Sequence, residues 1–151
     1  MDFDETAAVN HLIERLMDGE LGFTAAAQDA TDPDLKATLL RYANQRSDYA
    51  EALQSIVEEA GGKAEYAGTL GATLHRGWIN LKGAMATRDD LAILEECERG
   101  ENIAVDAFHS ALAGDQLELT RPVIEEQSAH IRAAHNHIKM LLDALRPTAV
   151  V

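Results

Sequence analysis

Cysteine and tryptophan each occur once in the 151 residues, proline three times, and aromatic side chains make up only 5% of the chain. Cys97 alone cannot form an internal disulfide, so the fold rests on its own core, and a lone thiol agrees with a reducing compartment. The shortage of aromatic and β-branched side chains argues against a sheet-on-sheet core. Basic residues are also few: 13 Lys and Arg stand against 26 Asp and Glu, a formal charge of −13. A field of that sign repels phosphate backbones and anionic lipid surfaces, which excludes nucleic acid and membranes as expected partners. No apolar run is long enough to span a bilayer, and Met1-Asp2-Phe3-Asp4-Glu5 is acidic where a secretory signal is basic. A cytoplasmic protein is the expectation. Gly-rich phosphate loops and Ser-His-Asp or Cys-His arrangements are missing too, so no catalytic residues are expected.

What the chain does have is 46% hydrophobic residues, 26 of its positions being alanine. Small apolar side chains suit closely packed helices, and 151 residues are enough for one domain with a sizeable core. The expected fold is therefore all-α, a single domain over residues 1–151. Four long segments carry helical periodicity. The first, from about Asp4 to Ala30, stripes Val9, Leu12, Ile13, Leu16, Phe23 and Ala27. Thr31-Asp32-Pro33 breaks it: Asp32 suits an N-cap and Pro33 a first helical position. The second segment carries Leu35, Leu39, Tyr42, Tyr49, Leu53 and Ile56 to Gly61-Gly62, and so short a loop makes the two helices antiparallel. A third begins at Arg88-Asp89-Asp90 and ends at Gly114, with Leu91, Leu94, Cys97, Val105, Phe108 and Leu112 inward. A fourth follows Thr120 and Pro122, with Val123, Ile124, Ile131, Ala134, Ile138, Leu141 and Leu145 inward as far as Pro147. Between the two hairpins, over about residues 61–90, Leu70, Leu74, Trp78, Leu81 and Met85 predict a shorter crossover helix, docked through Trp78. Hairpin, long crossover, hairpin is the wiring of ferritin-like bundles.

The two hairpins look like an internal repeat. Each has a Gly-Glu in mid-helix, Gly19-Glu20 and Gly100-Glu101, with an aromatic core residue and then a glutamine, Gln45 or Gln127, further along. Glu20 falls between Leu16 and Phe23, and Glu101 between Cys97 and Val105, on the expected buried stripes. A buried carboxylate needs a cation or hydrogen-bond donors, and a mid-helix glycine costs about 1 kcal/mol, which suggests close helix approach or a bulge. One candidate cation is a metal. Ferritin-like di-iron sites add a Glu-x-x-His from each remaining helix, but the corresponding segments read Gln45-Arg46-Ser47-Asp48 and Gln127-Ser128-Ala129-His130. The other candidate is Arg46. It lies about as far beyond the first loop as Glu20 lies before it, and its guanidinium can fork onto Glu20, Glu101 or both.

The segments Leu74-His75-Arg76-Gly77-Trp78-Ile79-Asn80-Leu81-Lys82, Ile93-Leu94-Glu95-Glu96-Cys97-Glu98-Arg99-Gly100-Glu101 and Ala133-Ala134-His135 resemble an uncharacterised bacterial family of four-helix bundles in the ferritin-like superfamily, a domain of unknown function. The likeness runs from about Asn10 to Leu145. It implies a ferritin-like fold, shared with bacterioferritins and rubrerythrins, and carries no assigned activity.

Two functional readings follow. In the first, a non-enzymatic bundle keeps the ferritin scaffold around a buried polar cluster of Glu20, Arg46, Glu101 and Gln127, and acts by self-association or on a protein partner. In the second, iron or another divalent metal is held for redox or storage by Glu20, Asp48, Glu101 and His130, an incomplete di-iron set. The remaining histidines have ordinary places: His11 and His109 beside the apolar stripes, His135 at a helix surface and His137 in solvent. Glu95, Glu96 and Glu98 read as a solvated acidic face.

Overall fold

A computed structural model describes residues 1–68 and 89–146. The expected crossover helix, with Trp78, His75 and Arg76, lies outside the described residues. Within them the protein is all-α. Four helices form a four-helix bundle: α1 (Phe3–Asp29), α2 (Pro33–Glu59), α3 (Asp90–Ala113) and α4 (Arg121–Leu145). None of them is long and apolar enough to cross a membrane.

Their ends follow local chemistry. Asp2 and Asp89 cap α1 and α3 by accepting the N–H groups of Glu5 and Ala92, and Asp32 accepts that of Asp34 at the start of α2, where Pro33 needs no donor. Gly61, at φ +84°, ends α2 in the left-handed conformation that glycine adopts without strain. Arg121 closes the α3–α4 connection by donating to the carbonyls of Leu112, Gly114 and Leu117, the first two among those α3 leaves unpaired.

The core has two apolar halves. One joins Phe23, Ala26 and Ala27 of α1 with Leu35, Leu39 and Tyr42 of α2, Ile93, Leu94 and Cys97 of α3, and Ala134, Ile138 and Leu142 of α4. The other joins Val9 to Leu16 of α1 with Ala50 to Val57 of α2, Ala104 and Phe108 of α3, and Ile124 and Ile131 of α4. The start of α1 thus packs with the end of α2, the end of α3 and the start of α4. α1 and α4 run one way, α2 and α3 the other. α1 lies close against α2 and α3, and α3 against α4, which makes α2–α3 a diagonal of the bundle.

After α2 the chain turns back along α1. A Cβ on Gly62 would lie near Thr6, Asn10 bonds the backbone of Lys63 and Glu65, and Gln54 donates to the Glu65 carbonyl. At Gly68 a Cβ would stand 2.5 Å from Asp18 Oδ1, so a larger residue there would have to displace the Asp18 carboxylate.

The two mid-helix glycines differ from expectation, since both helices are continuous, without a bulge. A Cβ on Gly100 would meet nothing within 4 Å, and one on Gly19 would make ordinary contact, at 3.5 Å, with Arg46. Gly100 therefore has no packing reason to be glycine. Gly100→Ala is expected to stabilise the protein by about 1 kcal/mol, read as a raised urea midpoint at unchanged slope.

Candidate functional site

At the boundary between the two apolar halves lies a charged pair. Arg46, one turn beyond Tyr42 and one before Ala50, is carried into the interior by the stripe of α2, and Glu101 by that of α3. Arg46 Nη1 donates to Glu101 Oε1 at 2.6 Å and Nη2 to Oε2 at 2.7 Å, a two-pronged fork across the bundle's diagonal. The two side chains are 1% and 2% exposed. Burial at this depth costs several kcal/mol per ion, offset here by matched geometry. Two further contacts hold the guanidinium: its carbon lies 5.2 Å from the Phe23 ring centroid, and Nε donates to Gln45 Oε1 at 3.3 Å. The arginine stem passes beside Gly19.

The other expected members take different places. Gln127 is buried and donates from Nε2 to the Tyr49 carbonyl at 3.3 Å, while its Oε1 is enclosed without a hydrogen-bond partner among the described residues. Glu20 is half-buried, and Arg46 makes its fork with Glu101 alone. With one guanidinium already filled by one carboxylate, Arg46 does not offset the desolvation of a second, and Glu20 keeps access to water. Asp48 and His130 are exposed. Among the described residues no three His, Cys, Asp or Glu side chains gather as metal ligands. Glu101, the one fully buried carboxylate of the di-iron-like set, has both oxygens on Arg46. This donor set does not fit a metal centre.

Three features escaped the sequence reading. Tyr42 and Tyr49 of α2 hydrogen-bond through their hydroxyls to Nδ1 of His137 and His130 of α4, with ring centroids 5.9 Å and 6.1 Å apart. His137 is thus half-buried against a phenol rather than in solvent. Burial, the largest effect on each, pushes both phenols above 10.0, so each hydroxyl keeps its proton, and which partner donates is set by the imidazole tautomer. The signal was present as one seven-residue spacing on each helix, Tyr42/Tyr49 and His130/His137, which antiparallel helices bring into register.

The second feature is Glu5, buried on α1. Its Oε1 accepts the N–H groups of Leu119 and Thr120 and the Thr120 hydroxyl, each at 2.9 Å. α4 has no side-chain cap of its own and no acid in its first turn, so a carboxylate from another helix takes that role. The third is Asp90. At the start of α3 it accepts the N–H groups of Thr31 and Asp32 at 2.9 and 3.1 Å and the Thr31 hydroxyl at 3.0 Å. Each hairpin's loop is therefore clamped by an acid from the other hairpin. The Glu98 carboxylate, expected in solvent, is half-buried, and its Oε2 is enclosed without a hydrogen-bond partner among the described residues.

Partial burial of Asp90 opposes its ionised form, but the three donors outweigh it and hold the carboxyl below its ordinary 3.8. A depressed carboxylate contributes stability above its unfolded-state value, and that contribution is lost as pH falls through the folded-state value. Asp90→Asn is accordingly expected to lower Tm at pH 7, and the gap to the native protein is expected to close as pH falls below about 4. Thermal melts across that range check it; a gap independent of pH counts against it.

Residues 4–114 match the family model described as Domain of unknown function (DUF2383). No curated protein matches the sequence.

Proposed function

The chain belongs to the DUF2383 family, and on that premise we propose that it is a single ferritin-like domain whose metal centre has been replaced by a buried Glu/Arg/Gln cluster. It acts in the cytoplasm without catalysis, by self-association or by binding a protein partner. The observation that carries this reading is the fork between Arg46 and Glu101, which puts a fixed protein cation where a di-metal site would need ligand charge. A guanidinium neutralises one carboxylate, needs no supply of metal and supports no redox chemistry. The up-down-down-up run of the helices and the return of residues 62–68 along α1 support the ferritin-like wiring. Phe3, 85% exposed, and Leu119, both close in sequence to groups in the Glu5 clamp, are apolar side chains open to association.

Elemental analysis of protein purified without an affinity tag, combined with light scattering, tests the proposal. Less than about 0.1 metal per chain, unchanged in Glu101→Gln, is expected, with a mass above the monomer or a captured protein partner. Stoichiometric metal that disappears on Glu101→Gln overturns it in favour of iron or another divalent ion at Glu20, Asp48, Glu101 and His130.

A further inference from the structure

The four helices are not joined alike. The α1–α2, α1–α3 and α3–α4 seams bring backbones together, whereas α2 and α4 approach each other less closely. Outside the apolar residues that both give to the two core halves, these two helices are joined by Tyr42 with His137, Tyr49 with His130, and the Gln127 amide on the Tyr49 carbonyl. An apolar seam resists water in proportion to the area it buries. A seam held by hydrogen-bonded side chains resists it less, because each bond is exchanged for bonds to water at a net cost of only about 0.5–1.5 kcal/mol. Gln127, whose Nε2 makes one of these bonds, has its Oε1 enclosed without a hydrogen-bond partner among the described residues, in a side chain 3% exposed. That acceptor gains a bond whenever water enters, which lowers the cost of opening further.

We propose that the α2–α4 seam is the opening edge of the bundle: α2 and α4 part there while the other three seams stay closed, admitting solutes to Gln127 and to the Arg46–Glu101 pair. The inference is independent of the absence of metal and of self-association. It predicts local opening more frequent than global unfolding and confined to one edge.

Thiol labelling tests it. Gln127 and Ser128 are neighbours on α4 and both are buried. Gln127 bonds α2, whereas Ser128 lies seven residues before His135, whose Nε2 bonds Asn102 of α3. In Gln127→Cys and Ser128→Cys proteins, labelled below the urea transition and read peptide by peptide, the cysteine at 127 is expected to react at least tenfold faster than that at 128 or Cys97. Adding Tyr49→Phe is expected to raise the rate at 127 alone. Gln127→Cys itself removes one seam bond, so the native protein supplies a second readout, hydrogen exchange of Arg46 Nε–H followed by NMR. Its rate is expected to depend less steeply on urea than the amides of Ile13 and Leu16 in α1. Equal labelling at 127 and 128, with Arg46 exchanging at the urea slope of global unfolding, overturns the proposal.

Discussion

Arg46→Ala is expected to destabilise the protein by about 3–5 kcal/mol, a large part of what holds a small domain folded. Truncation removes more than a contact. It leaves the Glu101 carboxylate 2% exposed, between two apolar core halves, with both oxygens stripped of their donors. Glu101 must then protonate, draw in water or unfold its surroundings. The companion variant separates that penalty from the worth of the pair itself. Arg46→Met combined with Glu101→Leu fills similar volume without burying charge, and is expected to recover most of the loss or exceed native stability. Urea unfolding followed by helical circular dichroism checks both proteins. An Arg46→Ala loss under about 1 kcal/mol would mean that Glu101 finds another partner, and the pair would lose its place as the centre of the fold.

Glu5→Ala carries the second largest expected effect, about 2–3 kcal/mol. One carboxylate oxygen accepts three donors, and Thr120 is fully buried. Removing the acceptor leaves two backbone N–H groups and a hydroxyl without it at the start of α4. Glu5→Gln keeps an acceptor oxygen and gives up the charge, so its loss is expected to be about half as large. Amide exchange at Leu119 and Thr120 is expected to accelerate in both variants ahead of global unfolding. Unchanged protection of those two amides would show that the connection is held by Arg121 instead.

The helices and their ends were legible because the responsible signals are local. Apolar residues at helical spacing, Pro33 and Pro122 at first turns, Asp32 at a cap and Gly114 past the end of α3 act within a few residues of themselves. Arg46 was legible as well, since a charge on an apolar stripe stands out against its neighbours. Its partner was not: Glu20 and Glu101 both lie on stripes, and only the diagonal placement of α2 and α3 aims the guanidinium at Glu101. Asp18 shows the opposite failure. It lies on the face of α1 turned from the core stripe, yet it is buried, because residues 62–68 fold back over that face. No periodicity within α1 reports what a segment about 50 residues away will cover. Glu5, Asp90 and the two Tyr–His pairs are of the same kind, polar residues at helix ends and edges whose partners are distant in sequence.

The reciprocal clamps bear on how the chain is made. Glu5 is synthesised well before its donors, since the amide it binds most deeply, that of Thr120, lies 115 residues further along the chain. Asp90 in turn must be synthesised before the first loop, 58 and 59 residues earlier, acquires its acceptor. The first hairpin therefore waits for the second with a carboxylate meant for burial still in water, and with Arg46 lacking Glu101. A chain truncated after α2 is accordingly expected to stay a loose hairpin rather than a stable half-bundle.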